Sequence, residues 1–200
     1  MFSEDEDKVV SLGFTSVNEG LEEGVSQALN ILTEIGTGYL SEGKEQEAEK
    51  TIISIKEIGK AAAVQGMEEA AISAIRSLER LLQCSTQQNM QSITVRVLLS
   101  FGAIGKIAAE QQMEMVARLA ASVLGKSGNT AALLNQERET IAVAIGLGEI
   151  GKAVARMEFP DNSENAAICI SCLGDIGKLT AQKSLEEAAV GVKLMLQEMA

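Results

Sequence analysis

Three stretches of the chain carry residue types and spacings that do chemistry elsewhere. Cys169-Ile170-Ser171-Cys172 is a C-x-x-C. Such a pair can exchange disulfides at a helix start or supply two thiolates to a metal. Gly146-Leu147-Gly148-Glu149-Ile150-Gly151 spells G-x-G-x-x-G, which binds a dinucleotide where it follows a strand and opens a helix. Ala120-Ala121-Ser122-Val123-Leu124-Gly125-Lys126-Ser127 is a relaxed P-loop, with Ala where the first Gly usually stands. A P-loop needs backbone amides free to cradle phosphates. The chain has no histidine, which removes Ser-His and Cys-His catalysis and the commonest metal ligand. Carboxylates are plentiful, but no pair is marked as catalytic by its spacing.

The elements that must hold these stretches follow from an internal repeat. Ile-Gly recurs at Ile35-Gly36, Ile58-Gly59, Ile104-Gly105, Ile150-Gly151 and Ile176-Gly177. The spacings are 23, 46, 46 and 26, a 23-residue unit with one three-residue insertion. Stepping by that unit adds Leu12-Gly13, Leu81-Leu82, Ser127-Gly128 and Met199-Ala200, so glycine fills seven of nine places in its column. Three residues before the Ile stands an apolar column: Val9, Leu32, Ile55, Leu78, Phe101, Leu124, Leu147, Leu173 and Leu196. Seven before it the residues are small or β-branched, as at Ala28, Thr51, Ala74, Ala120, Val143, Cys169 and Val192. Offsets of three, four and seven put these columns on one helical face.

The unit boundaries recur as well. Gly20, Gly43 and Gly66 are followed in register by Asn89, Gln112, Asn135, Asp161 and Ser184. Gly and Asn accept the left-handed conformation that ends a helix, and Asp, Ser and Asn can cap the next helix. Acidic pairs such as Glu22-Glu23 and Glu68-Glu69 follow, where carboxylates suit the positive end of the helix dipole. Lys60, Lys106, Lys152 and Lys178 lie towards the other end, where cations help. Nine helices are predicted, at about 4–18, 21–40, 44–64, 67–86, 90–110, 113–127, 136–157, 163–182 and 185–199. The insertion falls at 159–162, where Pro160 cannot continue a helix. Glycine inside a helix costs about 1 kcal/mol against Ala. Its repetition predicts close helix approach, looser where Leu82 and Ala200 replace it. The fold class is all-α: one repeat domain over 1–200, an α-solenoid of about nine antiparallel helices in 46-residue hairpins.

Leu147-Gly148-Glu149-Ile150-Gly151 and Leu173-Gly174-Asp175-Ile176-Gly177 resemble the Leu-Gly-x-Ile-Gly phrase of the HEAT/armadillo-like helical repeats. The period extends the resemblance over nearly the whole chain, although Lys stands where the family usually has Asp-Pro. The resemblance implies a surface for binding other macromolecules. It also leaves room for an enzyme, since some HEAT-like proteins act as lyases.

The repeat recasts the three chemical stretches. The G-x-G-x-x-G and P-loop-like segments fall inside helices, and Cys169 and Cys172 fall in packing columns. No catalytic residue, cofactor or metal is expected. The net charge of −11 opposes nucleic-acid and anionic-membrane binding. Three cysteines and an acidic N-terminus suggest a reducing, cytoplasmic setting. No apolar run is expected to approach the ~20 residues of a membrane span. The expected function is a non-catalytic protein-interaction scaffold, with Lys60, Lys106 and Lys152 as candidate partner-binding residues along one ridge. The alternative is a regulatory domain that self-associates through its C-terminal helix, which is less polar than an N-terminal cap spanning Glu4 to Lys8.

Overall fold

A computed structural model describes residues 4–156 and 162–199. Among them are nine α-helices and no strand: α1 Glu4–Glu19, α2 Glu22–Ser41, α3 Glu45–Val64, α4 Glu68–Gln87, α5 Gln91–Glu110, α6 Glu114–Leu133, α7 Glu137–Ala155, α8 Asn162–Lys183 and α9 Glu186–Glu198. The chain is thus an all-α helical repeat. Its helices gather into two compact units, residues 1–100 and 101–200, divided within α5. In the first unit, α1 packs on α2 and α3, α2 on α3 and α4, and α3 on α4. In the second, α6 packs on α7 and α8, α7 on α8 and α9, and α8 on α9. Within the first four helices, and again within the last four, a helix therefore meets the next and the next but one. The expected insertion at 159–162 lies outside the described residues, except that α8 begins at Asn162.

One turn joins most of these helices. Gly20, Gly43 and Gly66 have φ of 71, 73 and 72°, and Asn89, Gln112, Asn135 and Ser184 take the same place at 55, 63, 59 and 56°. Asp161, the remaining member of that column, is outside the described residues. At Gly66 the Met67 amide donates to the Ala62 carbonyl at 2.9 Å and the Gly66 amide to Ala63 at 3.1 Å. That double bond pattern is a Schellman motif, which satisfies the last carbonyls of the outgoing helix. The expected side-chain caps are absent at Leu21, Lys44, Met67, Met113, Gln136 and Leu185, the residues that open the next helix. Asn135 and Ser184 are spent on the left-handed position one residue too early to cap. The opening residue is apolar instead at Met67, Met113 and Leu185, each under a tenth exposed, as the hydrophobic contact of the motif requires.

The glycine column works as a row of holes. A Cβ on Gly13 would stand 2.7 Å from Ile58 Cδ1 and 3.4 Å from Ala28 Cβ. On Gly36 it would meet Leu81 Cδ2 at 2.9 Å and Thr51 Cγ2 at 3.3 Å. On Gly105 it would meet Ile150 Cδ1 at 2.6 Å and Ala120 Cβ at 2.8 Å, and on Gly128, Ile176 Cδ1 at 2.5 Å and Val143 Cγ1 at 2.7 Å. In every case the Ile-column residue comes from the helix two places on and the small-column residue from the next helix. The two apolar columns are thereby buried, with Leu32, Ile55, Leu78, Phe101, Leu124 and Leu147 all fully inaccessible. Each such side chain contributes about 1.5–3 kcal/mol through burial. Half-buried Leu82 stands where the other helices have this glycine; Ala200 is outside the described residues.

Three expectations are corrected. Helix α6 does not stop at 127 but continues to Leu133, through Gly128, Asn129 and Thr130. Its last turn is held by burial: Ala132 packs with Leu185 and Ala188, backed by Ile141 and Leu179. Tertiary packing there outweighs weak local helix preference. Helix α5 does have the length and composition to cross a membrane, with mean hydropathy 1.5, yet 61% of that stretch is buried inside the protein. At the N-terminus Glu6 does not face outward. It is fully buried and accepts hydrogen bonds from Thr51 Oγ1 at 2.6 Å and Tyr39 Oη at 3.1 Å, while Asp5, Asp7 and Lys8 are exposed.

Candidate partner-binding surface

Each chemical motif is absorbed by the packing just described. Gly146, Gly148 and Gly151 lie in α7, where Cβ atoms would collide with Leu124, Met195 and Met199 respectively. Ala120 fills the hole beside Gly105, and Leu124 is fully buried, so the P-loop-like stretch is the interior of α6. The Cys172 Sγ lies 2.5 Å from where a Gly125 Cβ would be, and the Cys169 Cβ 3.3 Å from where a Gly151 Cβ would be. Both thiols thus serve as small packing groups. Burial pushes the Cys169 thiol up to about 12, with Cys172 as a lesser cause, and burial also raises Cys172. Neither is a ready thiolate, and the thiolate is the reactive form.

The lysine column is placed differently from its expected helix-end role. Helices α3 and α5 run to Val64 and Glu110, so Lys60 and Lys106 precede the last turn; only Lys152 reaches it. The dipole effect fades beyond that turn. Carboxylates hold these lysines instead. In the first unit Lys60 pairs with Glu57 at 3.0 Å, and Lys56 with the same carboxylate at 2.8 Å. Partial burial works against the Glu57 charge, but the two lysines still hold its carboxyl below the ordinary range.

In the second unit Lys106 and Lys152 are brought together by Glu149. Lys106 Nζ lies 2.8 Å from Glu149 Oε2, Lys152 Nζ 2.6 Å from Oε1, and Lys152 also reaches Glu198 at 2.9 Å. Charges therefore alternate across α5, α7 and α9. Hydrogen bonds from Lys106, then Lys152, lower the Glu149 carboxyl against some desolvation. Hydrogen bonds to Glu149, then Glu198, raise Lys152. A bare basic rail is not what these lysines form; each carries a carboxylate with it.

Beside this charged row runs an aliphatic one that lies outside the Ile, Gly and Lys columns of the repeat. Ile145, Glu149 and Lys152 share a face of α7 at offsets of four and three, as Leu194 and Glu198 do on α9. Ile145 is 41% and Leu194 48% exposed. Their column alternates from α2 onward, while α1 carries exposed Asp7 there. Helices α3, α5, α7 and α9 carry Ile53, Leu99, Ile145 and Leu194, while α2, α4, α6 and α8 carry Asn30, Arg76, Ser122 and Ser171. A 46-residue alternation of aliphatic and polar was the available signal. It is distinct from the column of Leu32, Ile55, Leu78, Phe101, Leu124 and Leu147, whose members are apolar in odd and even helices alike.

The sequence matches no protein-family model, and no curated protein matches it.

Proposed function

We propose that this chain is a non-catalytic scaffold that binds another protein on the face of its odd-numbered helices. The observation that carries the reading is the alternation just described. A purely structural repeat has no need to place an aliphatic residue on α3, α5, α7 and α9, exposed at Ile53, Ile145 and Leu194 and half-buried at Leu99, and a polar one on α2, α4, α6 and α8. Exposed apolar rows flanked by charges favour protein association. On the second unit such a partner would lay aliphatic side chains against Ile145 and Leu194. Its own charges would engage the row formed by Lys106, Glu149, Lys152 and Glu198. Lys60 and Ile53 stand in the same relation on α3. The HEAT-like resemblance supports the same class of function by analogy of fold. The motifs that would suggest catalysis are all committed to helix packing, which is why a binding role is preferred over a lyase-type enzyme. A cytoplasmic location is part of the same proposal.

Cross-linking mass spectrometry on complexes captured from the native lysate tests the reading. Cross-links from a partner to Lys106 and Lys152 support it. Cross-links confined to other faces, or a bait recovered alone, contradict it.

A further inference from the structure

Among the described residues, one hole of the hole-and-knob register is unfilled. Gly13, Gly36, Gly105 and Gly128 each receive an Ile or Leu from the helix two places on. Gly151 receives Met199 in the same way. Among the described residues, Gly177 of α8 receives only Val192 Cγ1, from the next helix, at 3.2 Å. The parallel column behaves alike: Gly102, Gly125 and Gly148 are covered by Gly146, Cys172 and Met195, whereas Gly174 has no neighbour within 4 Å among the described residues. Over Gly177 lies a groove of about 380 Å³, lined by Gly177, Ala189, Val192, Lys193, Leu196 and Gln197. It continues an interface already built several times within the chain, and that interface defines what fits: a helix carrying an aliphatic knob.

Two knobs of that column, Leu12 on α1 and half-buried Ile35 on α2, fill no glycine hole of their own column among the described residues, and Leu12 is the more exposed. Ile58, Leu81, Ile104, Ile150 and Ile176 are at most 1% exposed. Leu12, their counterpart on α1, is 47% exposed, and Leu81 shows that leucine fills such a hole. The register holds for odd pairs (α1 with α3, α5 with α7) and even pairs (α2 with α4, α6 with α8), so an odd helix can occupy an even place. Shape rather than charge carries the fit: Lys193 is the charged residue among those lining the groove, and the Leu12 face of α1 carries both Asp5 and Lys8, which pair with each other at 3.4 Å.

We propose that copies of this chain associate head to tail, with α1 of one copy packed as a tenth helix against α8 and α9 of the next and Leu12 seated over Gly177. The contact is heterologous, since the two surfaces differ, and so propagates into a chain or closes into a ring. The net charge of −11 opposes it at low ionic strength, so association should strengthen as salt screens that repulsion.

Reciprocal variants test this in the full chain. Leu12→Glu spoils the knob at an exposed position, and Gly177→Leu fills the hole where the groove is open. Sedimentation at moderate salt should show concentration-dependent oligomers for the unaltered chain and monomers for either variant alone. An equal mixture should give a dimer and nothing larger, because each variant keeps one intact end. Circular dichroism melts of both variants establish that they are folded. Three results would overturn the proposal: a monomeric unaltered chain at its highest soluble concentration, oligomers indifferent to both substitutions, or a mixture of folded variants that stays monomeric.

Discussion

Ile58 Cδ1 lies 2.7 Å from where a Cβ on Gly13 would stand, with Ala28 Cβ next nearest at 3.4 Å. The close approach of α1 to α3 therefore rests on one absent methyl group facing one present methyl group. Gly13→Ala should gain about 1 kcal/mol of helix propensity but lose about 1–3 kcal/mol to overpacking. The expected net is destabilisation, read as a lower urea midpoint. Ile58→Val removes the Cδ1 atom, so it should cost less in the Gly13→Ala background than in the unaltered chain. Additivity in that double-mutant cycle would show that the pair does not touch as described.

Gly174 gives the opposite sign. No atom of the described residues lies within 4 Å of its missing Cβ, so Gly174→Ala meets no obstacle among them. It should stabilise the chain by about 0.5–1 kcal/mol through helix propensity alone. Thermal denaturation of dilute protein measures this. A lower melting temperature would mean that α8 is packed at this point.

Gln112 occupies the left-handed turn position at φ 63°, where three earlier turns have glycine. A non-glycine residue costs roughly 1–2 kcal/mol there. Gln112→Gly should raise the denaturant midpoint, and Asn89→Gly should do so less, since asparagine tolerates that conformation. Equal gains at both sites would contradict the account.

These turns and columns explain how much was legible beforehand. The knobs, holes and turn residues recur in the primary structure because each is a local requirement repeated at each unit. The end of α6 was not legible, since Gly128, Asn129 and Thr130 are poor helix formers and the helix persists only through burial of Ala132 against Leu185 and Ala188. Nor were the pairings of Lys106 and Lys152. Their shared carboxylate, Glu149, belongs to α7 and reaches Lys106 on α5 across 43 positions of sequence. The aliphatic row of Ile145 and Leu194 was legible, but only by comparing odd units with even ones.

The Glu149 carboxyl sits below its ordinary value near 4.5, chiefly because Lys106 and Lys152 donate to it. A carboxyl that titrates lower when folded stabilises the fold above its unfolded value and loses that stabilisation as pH falls through the folded one. Partial exposure limits the effect to about 1 kcal/mol or less. The stability gap between the unaltered chain and Glu149→Gln should therefore be present at neutral pH and close on acidification below 4.5. A gap that persists at low pH would remove the ion pairs as its cause.

Cys169 is fully buried and its thiol is pushed up to about 12. Alkylation at mildly alkaline pH should leave it unmodified in the folded protein and modify it after unfolding in urea, as peptide mass spectrometry would show. Rapid labelling of folded protein would indicate a reactive C-x-x-C, and with it a redox or metal role.

A paired substitution tests most directly whether the odd-helix face binds a protein. Ile145→Ser with Leu194→Ser gives the second unit the residue that α6 and α8 already carry in that column. Both sites are over two fifths exposed, so stability should change by no more than about 0.5 kcal/mol. Quantitative capture from the native lysate should recover a protein with the unaltered chain and lose it with the doubly substituted one at an unchanged melting temperature. Equal recovery by both chains would contradict the assignment of this face.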